Sequence, residues 1–218
     1  MRKNPSAPQA DETLIAALRE LPLAAISDNL HRSVGTIGLQ PYHRPQRLTM
    51  AGTAVTARSR GGDNLTYLRA LEFCRPGDVL LVDAGGDLAN AVVGGILTFY
   101  AAKIGVAGVV IDGAIRDVAE IRNRDFPVYA RGVTHRGPYK DGPGDINVTI
   151  QVGGMVVNPG DIVLGDQDGL LAFPPAEAAT LIAKARGVLE AEARTIQAME
   201  EGRWDRSFID ALEARCNN

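Results

Sequence analysis

Two short apolar segments that flank a longer apolar stretch predict a strand–helix–strand unit in the middle of the chain. Residues 80–83 and 108–112 have the length and the Val, Leu and Ile content of buried strands, and residues 88–104 carry an apolar helical pattern. A crossover of this length makes the two strands parallel. Their carboxyl ends then lie at one edge of the sheet, where open α/β sheets usually bind ligands.

Polar residues follow both predicted strands at this edge. Gly85 and Gly86 follow the first strand, and Arg116 and Asp117 follow the second. Because the carboxyl ends of parallel strands meet at one edge, we expect the glycine loop and the Arg116-Asp117 pair to line the same crevice. The sequence therefore predicts a site for a small ligand at this edge.

The remaining pattern adds a second β layer and helices at both ends. Residues 51–59 alternate apolar and polar side chains, as a half-exposed strand does. Residues 1–25 are predicted to form a loose tail followed by an amphipathic helix, and residues 175–218 are predicted to form a C-terminal helical arm. Further short strands, separated by Gly and Pro turns, are predicted at 146–151, 155–157, 162–164 and 170–173. We therefore expect residues 1–218 to form one α/β domain with a parallel layer, a second β layer and flanking helices.

Composition disfavours several classes of protein. The net charge is −3 and the basic residues are scattered, so we expect no nucleic-acid partner. Apolar runs are far shorter than the roughly 20 residues of a membrane-spanning helix, so no membrane partner is expected. Cys74 and Cys216 lie far apart and no hydrophobic leader opens the chain, which favours a cytoplasmic protein. His31, His43 and His135 lack the spacing of zinc ligands.

The Arg116-Asp117 pair is the strongest candidate for chemistry. A single carboxylate with open water positions is how proteins usually hold Mg²⁺, and a guanidinium matches a substrate carboxylate bidentately. The pair therefore fits a 2-oxo acid chelated to a metal. Alternatively, Asp117 caps the following helix and Arg116 forms a surface ion pair.

Other motifs narrow the choice of ligand. The Gly85-Gly86 loop is not the spaced glycine fingerprint of a dinucleotide site, and no phosphate-binding loop is present, so NAD and ATP are disfavoured. Residues 132–145 form a long polar loop, a kind of segment that is often functional. His135 in that loop is an acid–base candidate.

Several segments together resemble the family of regulator of ribonuclease activity A, which also contains the 4-hydroxy-4-methyl-2-oxoglutarate aldolases. The resemblance runs in order from residue 26 to residue 174, and the glycine-spaced segment that ends in Arg116 and Asp117 is its most specific part. The matching segments are 85–87, 93–94, 105–117, 132–138 and 165–169.

The resemblance implies a swivelling β/β/α domain that assembles as a homotrimer or homohexamer and a lyase similar to class II, metal-dependent pyruvate aldolases. Asp117 would bind Mg²⁺ or Mn²⁺, and Arg116 would hold the carboxylate or keto oxygen of a 2-oxo acid. Backbone N–H groups of Gly94, Gly95 and Ile96 would meet the same part of the substrate. The implied reactions are aldol cleavage of 4-hydroxy-4-methyl-2-oxoglutarate-type substrates to pyruvate and decarboxylation of oxaloacetate.

One position departs from the family's pattern. Gly95 stands where the family's aldolases carry an acidic residue that supports the water shell of the metal, which favours decarboxylation over aldol cleavage. Glu120, one helical turn after Arg116, resembles an acidic residue found there in many members and could take over this role. Further residues expected to support the site are Asp28, Asp87, His135 and Lys140.

Two alternatives to the lyase stay open. The first is a non-catalytic regulator that binds a ribonuclease complex, the function that gives the family its name. The second, weaker alternative is a methyltransferase, because that activity has been attached to the family by name. The Arg116-Asp117 pair favours chemistry, since a pure binding module needs no such pair inside a crevice.

Overall fold

Strands and helices alternate between residues 50 and 133, and short strands then follow one another from residue 144 to residue 173. The computed structural model describes residues 1–30, 35–44 and 50–216. The strands in these residues are β1 (Arg2–Lys3), β2 (Gln40–Pro41), β3 (Met50–Ser59), β4 (Asp78–Asp83), β5 (Ala91–Val93), β6 (Gly108–Ile115), β7 (Val128–Val133), β8 (Gly144–Ile146), β9 (Ile150–Val152), β10 (Met155–Val157), β11 (Ile162–Gly165) and β12 (Leu170–Phe173). The α-helices are α1 (Glu12–Arg19), α2 (Leu23–Ser27), α3 (Leu65–Ala70), α4 (Gly95–Lys103), α5 (Val118–Arg122), α6 (Ala178–Glu200) and α7 (Ser207–Cys216), with 3₁₀ turns at Leu71–Phe73 and Pro175–Glu177.

A parallel layer of four strands forms the centre of the fold. Strands β3, β4, β6 and β7 lie side by side in that order and run in the same direction. Their apolar residues are buried because side chains from other elements cover both faces of the layer. The predicted parallel pairing of β4 with β6 is confirmed, and Asp83, the last residue of β4, lies opposite Asp112.

The helix predicted for residues 88–104 is wrong in its first part. Residues 91–93 form β5, which pairs in parallel with the end of β6, and α4 begins only at Gly95. Val92 and Val93 are fully buried in the central core. Their β-branched side chains favour an extended backbone, and the sheet edge offers them partners that a helix would not.

The half-exposed strand predicted for residues 51–59 is also wrong, because β3 is buried on both faces over most of its length. The polar side chains that suggested exposure are satisfied inside the protein. Thr53 Oγ1 accepts a hydrogen bond from the N–H of Ala10 at 3.0 Å, and Thr56 Oγ1 donates to the carbonyl of Val148 at 2.6 Å. A threonine with a backbone partner can therefore occupy a core position.

The strands of the second β layer pair in antiparallel fashion. Strand β11 pairs with β3 and β12, and β9 pairs with β10 across a Gly153-Gly154 turn. The single strand predicted for residues 146–151 is wrong, because it is divided between β8 and β9. Asn147 between them has a left-handed backbone with φ of 53°, which interrupts an extended chain. The result is a mixed α/β fold.

The N-terminal segment is not the loose tail that the sequence predicts. Arg2 pairs with Asp145 of β8 in a parallel ladder. Ser6 Oγ donates to the carbonyl of Phe73 at 3.0 Å, and Gln9 Nε2 donates to Asp78 Oδ1 at 2.9 Å. Polar side chains thus hold this segment to the body of the protein. The hydrophobic pattern of the sequence did not indicate this attachment.

The C-terminal helices behave differently along their length. The first half of α6 packs Leu181, Ile182 and Ala185 against α1 and α2, whereas its second half and the described side chains of α7 are exposed. Residues 217 and 218 of the predicted arm lie outside the described residues. None of the described helices is long and apolar enough to cross a lipid bilayer.

Candidate active site

A cavity of about 250 Å³ lies where β5 and β6 end and α4 and α5 begin. The residues that line it are Asn64, Leu68, Val92, Val93, Gly94, Ile96, Leu97, Arg116, Asp117, Pro138 and Lys140. Apolar walls around a few polar groups are typical of small-molecule sites. With two cationic side chains and one carboxylate, the lining carries one net positive charge, which suits an anionic ligand.

Asp117 has an unusual backbone conformation and a side chain that contacts a neighbouring helix. It is the N-cap of α5 with φ 59° and ψ 37°, a left-handed conformation that is uncommon outside glycine. Its Oδ2 accepts a hydrogen bond from the N–H of Gly95 at 3.0 Å and lies 3.6 Å from Nε of Arg116. The N–H donor belongs to α4, and the Asp117 side chain makes no capping hydrogen bond to α5. Among the described residues Oδ1 has no hydrogen-bond partner, so it is free for a ligand.

Two glycines let the start of α4 approach the acidic side chains. A Cβ at Gly94 would overlap Oδ2 of Asp117, and a Cβ at Gly95 would overlap Oε2 of Glu120. The Glu120 carboxylate therefore occupies the space beside position 95. Gly94 and Ile96 line the cavity, whereas the N–H of Gly95 already donates to Asp117.

Glu120 lies beside the site without lining the cavity. Its Oε1 is 3.5 Å from Nη2 of Arg124, and its side chain is 59% exposed. Arg124 also donates from Nη1 to the carbonyl of Gly95 at 2.7 Å. The two side chains together connect α5 to the first turn of α4.

The remaining residues nominated from the sequence fall in different places. Lys140 lines the cavity, but Asp28, Asp87 and His135 do not. Asp28 follows the last residue of α2, and Asp87 Oδ1 accepts a hydrogen bond from the N–H of Ala89 at 3.2 Å in its own turn. His135 is exposed in the long loop.

The expectation that the Gly85-Gly86 loop and the Arg116-Asp117 pair share a crevice is wrong. Gly85 and Gly86 line a second cavity, of about 370 Å³, together with Asp83, Asp112, Arg131, Gln151 and Gly154. Strand β5, absent from the predicted topology, adds to the edge of β6 and carries valines that line only the first cavity.

The charged groups of the second cavity are hydrogen-bonded within the protein. Arg131 Nε donates to Asp112 Oδ1 at 2.6 Å, and this hydrogen bond raises the pKa of the arginine further. Asp112 Oδ2 accepts from the N–H of Gly153 at 2.7 Å, and Asp83 Oδ1 accepts from the N–H of Gly85 at 3.0 Å. These carboxylates hold loops in place.

Asp63, which the sequence analysis did not nominate, anchors the loop that carries Lys140. This fully buried carboxylate accepts hydrogen bonds from the N–H groups of Leu65 at 2.9 Å, Asp141 at 2.7 Å and Gly142 at 2.9 Å. Burial alone would raise the pKa of Asp63. The three backbone donors and the nearby Arg60 charge outweigh burial, so the pKa lies below its ordinary value.

The donor set suits a metal that keeps most of its own water. No group of three or more His, Cys, Asp and Glu side chains gathers within the described residues, which exclude His31. Mg²⁺ is commonly bound through only one or two carboxylates, the rest of its octahedron being water and substrate. Asp117 with its free Oδ1 fits that pattern, and the neighbouring Glu120 carboxylate could receive hydrogen bonds from such water.

Comparison with known proteins identifies the family. The family model described as RraA-like, Aldolase/RraA, matches residues 23–172. The chain belongs to the RraA-like family. The resemblance read from its motifs is confirmed.

Two relatives carry the name of an aldolase. A protein of Halalkalibacterium halodurans, named provisionally as a 4-hydroxy-4-methyl-2-oxoglutarate aldolase, is 36% identical over 179 residues, which are 82% of this chain and 84% of that protein. A 4-hydroxy-4-methyl-2-oxoglutarate aldolase of Thermus thermophilus is 41% identical over 112 residues, which are 51% of this chain and 68% of that protein.

A solved relative supports the fold of this RraA-like chain. The crystal structure of Streptomyces coelicolor RraAS2, described as an unusual member of the RNase ES inhibitor RraA family, superimposes with a TM-score of 0.77 and 27% identity. The match covers 86% of this chain and 97% of the Streptomyces chain. The mixed α/β architecture is therefore that of the family.

Proposed function

We propose that this protein is a divalent-metal-dependent lyase that acts on 2-oxo acids. The expected reactions are aldol cleavage of 4-hydroxy-4-methyl-2-oxoglutarate-type substrates and decarboxylation of oxaloacetate. The observation that carries the proposal is the pairing of Arg116 with Asp117 in one apolar-walled cavity, with Oδ1 of Asp117 unused by the protein. The names of the aldolase relatives support the same class of reaction.

Charge in the cavity supports a substrate with two carboxylates. Arg116 and Lys140 both line it, and each can bind one carboxylate of a glutarate or of oxaloacetate. Arg116 is the better partner for the oxo-acid end, because it is the immediate neighbour of Asp117 and its planar guanidinium can contact two oxygens at once. The apolar walls would pack against the carbon chain.

Both reactions break a bond to C3 of the oxo acid and move its electrons into the 2-keto group. In aldol cleavage the C3–C4 bond breaks, the C4 hydroxyl gives its proton to solvent and becomes the carbonyl of the second product, and C3 takes up a proton to give pyruvate. In decarboxylation the bond from C3 to the departing carboxylate breaks, CO₂ leaves, and C3 takes up a proton from solvent to give pyruvate. Arg116 would stabilise the charge that develops on the keto oxygen. Mg²⁺ or Mn²⁺ held by Asp117 would supply Lewis-acid polarisation of the same oxygen.

The binding-regulator alternative is supported by the name of the Streptomyces relative. A regulator would act through an exposed surface, and a cavity with an unused carboxylate oxygen would serve no purpose in it. We therefore favour the lyase. Loss of lyase activity on chelation would distinguish the two functions, because binding to a ribonuclease has no inherent need for a metal.

Removal of divalent metal is expected to abolish pyruvate formation. EDTA should reduce the release of pyruvate from oxaloacetate to the rate without protein, and added Mg²⁺ or Mn²⁺ should restore it, because Asp117 alone cannot polarise the keto group. Pyruvate can be followed with lactate dehydrogenase and NADH. The control contains metal without protein, since free metal ions also promote this decarboxylation. Full activity in EDTA would contradict the proposed dependence on a divalent metal.

Assembly into a homotrimer or homohexamer is the second part of the proposal. Ile96, Phe99 and Tyr100 on α4 expose apolar surface beside the cavity, with Ile96 80% exposed. Such surface usually contacts a partner, and a neighbouring subunit could cover it. Sedimentation equilibrium is expected to give a mass three or six times that of the chain, and a monomer at micromolar concentration would contradict this part.

A further inference from the structure

Asn64 is a buried polar residue whose side chain has no hydrogen-bond partner within residues 1–30, 35–44 and 50–216. It is 3% exposed and lines the cavity beside Arg116, Asp117 and Lys140. It stands at the N-cap of α3, but its side chain makes no capping hydrogen bond. Its Oδ1 is buried without any hydrogen-bond partner among the described residues.

The backbone of Asn64 is held firmly even though its side chain is not. Its N–H donates to the carbonyl of Tyr139 at 3.0 Å, and its carbonyl accepts from the N–H of Leu68 at 3.0 Å. Rotation of the carboxamide by half a turn exchanges Oδ1 and Nδ2, and no side-chain hydrogen bond within the described residues opposes this rotation. Either atom can therefore be presented to a ligand at a fixed position.

An unpaired buried amide is unfavourable for stability. Leaving a buried polar atom without a partner costs about 1–3 kcal/mol relative to a satisfied one. An apolar side chain of the same size at position 64 would avoid this penalty. The carboxamide is therefore better explained by a ligand than by the fold, since buried polar groups are normally paired.

The chemistry of the ligand follows from the donors and acceptors of the cavity. Arg116 and Lys140 are donors only, and they serve carboxylate and keto oxygens. An aldol substrate also carries one hydroxyl, which must donate a hydrogen bond when it is buried. Asp117 is the candidate metal ligand, so the neutral side-chain acceptor left in the lining is the carboxamide of Asn64.

We propose that Asn64 binds the hydroxyl group of the aldol substrate and so determines the preference for hydroxylated over non-hydroxylated 2-oxo acids. This inference rests on the proposed lyase function. It assigns Asn64 to substrate recognition in aldol cleavage and gives it no role with oxaloacetate, which has no hydroxyl in its keto form. A carboxamide can accept from the hydroxyl through Oδ1 before the hydroxyl proton leaves.

The test compares two substrates on the full-length protein. In Asn64→Leu, kcat/KM for 4-hydroxy-4-methyl-2-oxoglutarate is expected to fall about 10- to 100-fold, as loss of a buried hydrogen bond to a substrate hydroxyl does. For decarboxylation of oxaloacetate, kcat/KM should change by less than about threefold, because Arg116 and Lys140 still bind this substrate. Asn64→Ser, which keeps an acceptor, should recover part of the aldol activity. Asn123→Leu, on an exposed surface residue, is the matched control.

The thermal unfolding temperature distinguishes a role of Asn64 in substrate recognition from a role in folding stability. Asn64→Leu should unfold at the wild-type temperature or above it, because the substitution removes an unpaired buried amide and no cap. Equal loss of both activities, or no loss of aldol cleavage, would overturn the assignment of Asn64. A clear fall in unfolding temperature would show that the carboxamide serves the fold and would also overturn it. If the wild type cleaves neither substrate, the lyase proposal itself fails, and the assignment falls with it.

Discussion

Asp117→Asn is expected to lower pyruvate formation from oxaloacetate by about 10²- to 10³-fold, the range seen when one charge-stabilising group is removed from an active site. The substitution removes the negative charge that would hold the metal. It leaves the geometry nearly unchanged, because asparagine tolerates the left-handed backbone of Asp117 and its Oδ1 can still accept from the N–H of Gly95. Initial rates over a range of Mg²⁺ concentration measure the effect.

The matched control for this variant is Asp125→Asn. Asp125 is also acidic and lies just after α5, but its side chain is 71% exposed and its ion-pair partner is Arg44. The same change of charge there should leave the rate unaltered. Retention of wild-type activity in Asp117→Asn, with an unchanged unfolding temperature, would show that this carboxylate is not the metal ligand.

The strands of the parallel layer could be predicted because their environment imposes a simple pattern. Strands β4 and β6 are covered on both faces, so nearly all their side chains are apolar. Such continuous apolar runs are easily recognised in the sequence. Strand β5 could not be separated from α4, since three apolar residues fit either period and only the free edge of β6 decides between them. In β3, threonines bonded to distant backbone imitate the alternation of an exposed strand.

The site residues that could be predicted are those placed by local sequence pattern, and the others depend on contacts between distant parts of the chain. Arg116 and Asp117 are neighbours in sequence directly after a strand, so local pattern places them at the sheet edge. Asp63 and Asn64 acquire their roles only through contact with the loop around Lys140, which is more than 70 residues away in the chain. Next to the Gly61-Gly62 turn, both resemble ordinary turn and cap residues.

Asp63→Asn is expected to destabilise the protein by about 2–4 kcal/mol at neutral pH and to weaken substrate binding. The variant places an amide donor among three buried backbone N–H donors, so at least one of them loses its acceptor. Two of these N–H donors belong to Asp141 and Gly142, which directly follow Lys140. Release of this loop should therefore raise KM for oxaloacetate more than it lowers kcat, since Pro138 and Lys140 line the cavity.

The pH dependence of this effect has a definite sign. The folded-state pKa of Asp63 lies below its ordinary value, so the charged carboxylate stabilises the folded protein above the unfolded pKa of about 4. That contribution is lost as the pH falls through the lower folded-state pKa. Urea unfolding should thus show a large difference between wild type and Asp63→Asn at pH 7 and a smaller one near pH 3. Asp141→Asn, which changes an exposed carboxylate in the same loop, should match the wild type at both pH values. A difference for Asp63→Asn that does not shrink in acid would mean that its ionised form does not anchor the loop.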